Sequence, residues 1–276
     1  MTVERAVGAA WWSWKAGFVA SHKLSTWAPL AATTVVRFAA LLLVTFFHRP
    51  EIVGLGRPLV EFFGGAEASH YPEHLFRLPI VFAGIDPWIL IFVGGPTALA
   101  VTRSLIKTSI APDRFPLARN RHALLASLLI AALAVGLAAG VGAAFQVLPD
   151  SLQDRGGKLG LAIAMARSGL LVLVLSPLLC GFAAIVVHAE SFLAAIQRSV
   201  RIASTQPITV LLVTAWPVAL TLPFDVLSGP IGRSRFESEP EAMLVVIASG
   251  LLVQIVAAHV TLAAATRIVL WTASEE

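Results

Sequence analysis

The sequence predicts an all-α fold, a polytopic integral membrane helix bundle of about six transmembrane helices plus interfacial helices. Three observations lead there. The 276 residues are 57% hydrophobic and only 13% charged, against the roughly 45–50% apolar and 25% charged usage of soluble domains. Several apolar stretches of about 20 residues are each long enough to cross a hydrocarbon core of ~30 Å. The single cysteine, Cys180, lies within an apolar run, which excludes an intramolecular disulfide framework and any multi-cysteine zinc or iron–sulfur site.

Taken in chain order, residues 4–26 carry Trp11, Trp12, Trp14 and Phe18 among Arg5, Lys15 and Lys23. That mixture suits a cytoplasmic-face helix lying in the interface, so 1–27 is assigned as an interfacial helix. No uninterrupted apolar region precedes a small-residue cleavage site there, and the first span is expected to act as the membrane signal. The expected spans are 28–47, 87–105, 123–147, 161–188, 207–227 and 242–266. Pro177 is the kink point of the fourth. Pro217 and Pro223 interrupt the fifth, and backbone groups freed by proline need protein partners because lipid offers none, so this helix should be buried or line a cavity. Between the fourth and fifth spans, Phe192, Ile196 and Val200 recur at helical spacing with Arg198 and Arg201 on another face, the pattern of an amphipathic connector on the bilayer. The third span repeats small residues at Ala132, Gly136, Gly140 and Ala144, a packing face for a neighbouring helix or for a second copy of the chain. No repeat, linker or low-complexity segment divides residues 1–276, which form one transmembrane domain.

The 20 Lys and Arg residues are dispersed between spans and form no dense patch with interleaved aromatics, which argues against a nucleic-acid partner. Membrane lipids are the expected surroundings, with other membrane subunits or a second copy as further partners. The basic residues read better as topology signals: Arg103, Lys107, Arg114, Arg119 and Arg121 concentrate between spans two and three, which places that loop and both termini in the cytoplasm. Compactness and Ala/Leu/Val-rich spans fit a bacterial-type cytoplasmic membrane.

Two places could carry chemistry. Arg37 sits inside the first span, where a charge must face protein or water. It is read either as a functional group or as an interhelical anchor. The outer loop, 48–86, contains His70, Tyr71, Glu73, His74 and Arg77. His70 to His74 spells H-x-x-E-H, the inverted zincin pattern. Proline is best tolerated at the first helical position, which makes Tyr71 the N-cap, leaves His70 outside the helix, and ends the helix after about two turns at Pro79. The expectation is therefore a short interfacial or re-entrant helix with no metal and no cofactor, and His70 with His74 as the zinc-binding alternative. The ligand or partner site is expected from Arg37, His70, Tyr71, Glu73, His74 and Arg77. There is no nucleophile elbow, Walker A loop or dinucleotide fingerprint.

The functional reading is a non-enzymatic membrane subunit or permease-like component that handles a small or lipidic ligand or supports partner proteins. The alternative is a membrane-embedded hydrolase or transferase with an outer-face site.

The topology is tested by cysteine labelling on a Cys180→Ala background. Single cysteines at Ser109 and Ser274 should react only after permeabilisation, and labelling from outside intact cells would reverse the orientation.

Overall fold

The structure, a computed structural model, describes residues 2–107, 121–146, 158–229 and 235–275. Every regular element among them is helical: α1 (Val3–Ala20), α2 (Leu24–Thr45), α3 (Val53–Gly64), α4 (Glu73–Ile89), α5 (Gly95–Leu105), α6 (Arg121–Gln146), α7 (Lys158–Leu175), α8 (Gly181–His188), α9 (Phe192–Thr205), α10 (Pro207–Leu227) and α11 (Ala242–Glu275). Six helical stretches are long and apolar enough to span a membrane: α2, α4 with α5, α6, α7 with α8, α10, and α11.

The spine of the bundle is α11, whose 34 residues contact α1, α2 and α10 most extensively. Helix α2 runs antiparallel to it. Thr26 bonds His259 near the start of α2, while Leu41 and Val44 share an apolar cluster with Leu251 near the other end. The α1 helix lies beside the C-terminal half of α11 and the start of α10, burying the small residues Ala6, Ala9, Ala10, Ser13 and Gly17. Its Trp11 and Trp12 point outward. Small side chains on the inner face let the helix axes approach closely, and the large amphipathic rings are left for the surroundings.

Two spans change their winding, and a third carries prolines within a continuous helix. Pro87 removes a backbone donor late in α4, and the helix continues through one π turn, Leu90–Gly94, into α5. Pro177 produces a 3₁₀ turn, Ser176–Leu178, between α7 and α8. A freed amide is satisfied there from another helix: the Cys180 N–H donates to Ser199 Oγ at 3.1 Å. Pro217 and Pro223 lie within α10. The short α8 is apolar all round and correspondingly enclosed, with Ala184, Ile185 and Val186 at 0% exposure.

The structure corrects two sequence expectations and adds detail to two others. The segment 48–86 is not an outer loop with a two-turn helix. Its last third is the first half of a span, because α4 begins at Glu73 and passes through Pro79 to Ile89. A proline deletes one hydrogen bond but does not end a helix whose apolar face, here Leu75, Leu78, Val81 and Phe82, is buried against neighbours. The N-cap of α4 is Pro72, one residue after the expected Tyr71. At Gly136 and Gly140 nothing among the described residues stands within 4 Å of where a Cβ would be. Helix α9 docks on the bundle through Ala195, Ser199 and Ile202, while Val200, on the face expected to meet the bilayer, is exposed. Close docking under α8 selects small residues over bulky ones.

The tightest helix crossing supplies a test. A Cβ at Gly17 would stand 3.1 Å from both Cα and the carbonyl oxygen of Val260, which are backbone atoms that cannot swing aside, whereas Gly8 on the same helix has nothing within 4 Å. Gly17→Leu should therefore lower stability in detergent by about 1–3 kcal/mol and expose the α1 segment to protease. Gly8→Leu should leave both readouts unchanged.

Candidate functional site

All six spans contribute to the wall of a cavity of about 520 Å³ in the middle of the bundle. This is within the roughly 300–1,000 Å³ of small-molecule sites. The irregular backbone reaches it, Leu90 and Gly94 from the π turn and Leu178 from the 3₁₀ turn, and Pro217 of the continuous α10 adds to the wall. Non-helical backbone at membrane depth survives only where protein or a cavity satisfies it, and broken helices commonly mark binding sites.

Most of the wall is apolar, with threonine hydroxyls distributed over it. Thr33 donates to Thr97 Oγ1 at 2.8 Å and ties α2 to α5. Thr34, Thr214, Thr221 and Thr261 donate to carbonyl oxygens of their own helices. Having spent their protons, these four offer the cavity only acceptor lone pairs.

Arg37 is the one ionisable side chain on the wall among the described residues. Its Nε donates to Asp86 Oδ1 at 2.6 Å and its Nη2 to Oδ2 at 2.7 Å. The two side chains are 9% and 15% exposed. This is the planar two-bond fork that matches a guanidinium to a carboxylate. Asp86 lies about 20 Å along the helix from Glu73 at 1.5 Å per residue, well inside the span. Asp86 itself does not line the cavity.

Sequence reasoning missed Asp86 because it assigned that residue to the last position of a loop. The signal was present in the run Leu78-Pro79-Ile80-Val81-Phe82-Ala83-Gly84-Ile85, which is apolar up to Asp86 and already reads as membrane-embedded once Pro79 is allowed inside a helix.

The remaining predicted site residues gather elsewhere, at the start of α4. Arg77 donates to Glu73 Oε1 at 3.1 Å, to the Gly64 carbonyl at 2.8 Å and to Glu67. It thereby clamps the end of α3 and the 3₁₀ turn Ala66–Ser69 onto α4. Tyr71 donates to Glu241 Oε1 at 3.0 Å, joining this end of α4 to the segment before α11. That bond and the nearby carboxylate charge raise the phenol above its ordinary pKa. The His74 ring sits between Tyr71 and Phe47, with ring centroids 5.8 and 5.9 Å away. His70 precedes the helix and is exposed. Among the described residues, no three His, Cys, Asp or Glu side chains are grouped to hold a metal ion. The structure thus links Glu73 to Arg77, places Tyr71 beside His74, and separates all of them from Arg37.

Deeper in the bundle, His259 is fully buried, stacked on Trp27 at 4.2 Å, with its Nε2 2.9 Å from Thr26 Oγ1. The Thr26 hydroxyl proton is directed to the Lys23 carbonyl at 2.8 Å, so His259 Nε2 is the donor to Thr26. The pair locks the α1–α2 turn to α11.

No protein-family model matches the chain, and neither a curated protein nor a solved structure matches it.

The ion pair is tested by a double-mutant cycle read by unfolding in detergent. Arg37→Leu or Asp86→Leu alone leaves one uncompensated charge in the bundle and should cost about 3–5 kcal/mol, while the double variant should return to within ~1 kcal/mol of the parent. Additive losses would show that the two groups are not coupled.

Proposed function

We propose that this multi-pass protein is a non-enzymatic, permease-like membrane component that takes the apolar body of a small or lipidic ligand into the cavity between its spans. The observation that carries this is the convergence of two irregular turns, and of a proline from a third span, on one mid-bundle cavity. Interrupted helices cost hydrogen bonds, and a bundle that served only as an anchor gains nothing from placing them around a void.

The cluster of Tyr71, Glu73, His74 and Arg77 supports the non-enzymatic reading. Arg77 and Tyr71 are engaged with Glu67, Glu73 and Glu241, a set of mutual clamps rather than a nucleophile aligned with a base. With His70 exposed beside them, they form a rim at one end of the bundle. In this reading the membrane is of the bacterial cytoplasmic type, with cytoplasmic termini and the rim on the outer side. The Gly136 and Gly140 face is then left for lipid, another membrane subunit or a second copy of the chain.

The test is native mass spectrometry of the protein released from membranes without delipidation. One co-purified lipid per chain is expected, and it should be lost on Ala134→Phe and Ala258→Phe, which fill the cavity from α6 and α11. Retention in both variants, at unchanged thermal stability, would remove the cavity from the function.

A further inference from the structure

Two polar groups on the cavity wall have no hydrogen-bond partner among the described residues. One is the Nη1 edge of Arg37, because Asp86 occupies only Nε and Nη2. The other is the side-chain amide of Gln254 on α11. Both line the same cavity, one from α2 and the other from α11.

Their chemistry is selective. Arg37 and Asp86 form a neutral unit, so the free guanidinium edge donates hydrogen bonds while the site carries no net charge. A phosphate or carboxylate entering the cavity would bring an unmatched negative charge next to Asp86 in a low-dielectric space. An ammonium would meet the Arg37 cation and find no free carboxylate on the wall among the described residues. A neutral oxygen pays neither penalty. It can accept from Arg37 Nη1 and from the Gln254 amide, while a ligand hydroxyl can donate to Gln254 Oε1 or to the lone pairs of Thr34 and Thr261.

We infer that the ligand is an uncharged single-chain amphiphile, an apolar tail carrying an ester, carbonyl or hydroxyl head, and that Arg37 and Gln254 together read that head. This rests on the cavity being the ligand site.

The experiment uses the full chain in phosphatidylcholine nanodiscs and a diazirine-bearing monoacylglycerol, with crosslinks mapped by peptide mass spectrometry. Unlabelled monoolein, oleoyl lysophosphatidate and oleylamine, which share one tail length, compete against it. Monoolein should compete about tenfold better than either charged lipid, the scale of one unsatisfied or satisfied buried polar contact. Gln254→Leu, and separately Arg37→Met with Asp86→Leu, should each weaken displacement by monoolein about tenfold, because the uncharged head loses a hydrogen-bond partner. The second variant removes both charges together, so no buried charge is left unpaired to unfold the bundle. Lysophosphatidate or oleylamine competing as well as monoolein in the parent protein would overturn the uncharged head while leaving the cavity as the ligand site. Undiminished displacement by monoolein in both variants would overturn the roles of Arg37 and Gln254. Absence of any crosslink on cavity-lining peptides would overturn the cavity reading itself.

Discussion

A charge placed in the middle of an apolar bundle must be matched there, and the Arg37–Asp86 pair is the interaction around which the rest of this structure is arranged. It joins the first span to the second at mid-depth and fixes their register. The pair is also the reason that α4 must enter the bundle so early: Asp86 reaches Arg37 only if the helix carrying it has already crossed part of the membrane thickness. The Thr33–Thr97 bond holds the same two spans together nearer the other end. Two polar ties separated along the helices resist both rotation and sliding, which apolar contacts alone do poorly in lipid.

Backbone satisfaction is the second constraint. Each interrupted helix releases donors or acceptors, and the bundle answers by placing the break against protein. Ser199, brought in by the returning α9, accepts from the Cys180 amide. The π turn keeps its backbone wound while easing the helix past Pro87. Residues of both irregular turns, Leu90 and Gly94 in one and Leu178 in the other, contribute to the cavity wall.

Polar residues in this protein divide by depth and by what they spend their hydrogen bonds on. At one end of the bundle, Arg77, Glu67, Glu73, Tyr71 and Glu241 satisfy one another and hold α3, α4 and the start of α11 together. His259 does the same for the turn between α1 and α2. Facing the cavity, by contrast, Arg37 and Gln254 keep donors in reserve. Reserve capacity in an apolar wall is costly to maintain unless something fills it.

The sequence by itself determined the membrane environment, the helical class and the presence of six spans, since hydropathy over about 20 residues reflects a solvent requirement that each segment must meet alone. It also marked Arg37 as a residue that needs a partner, and Pro177, Pro217 and Pro223 as points where a backbone donor is lost, because those are local chemical facts. The partner, the true start of the second span and the cavity were decided by tertiary structure. A proline such as Pro79 ends a helix or merely dents it according to whether its neighbours bury the flanking face, which is not written in the local sequence. Whether Gly136 and Gly140 pack or stand open, and whether α9 turns Ser199 or Val200 inward, depends likewise on which helix lies opposite. Gln254 and Arg37 line one cavity only because the fold brings α2 and α11 together, a relation between segments more than 200 residues apart.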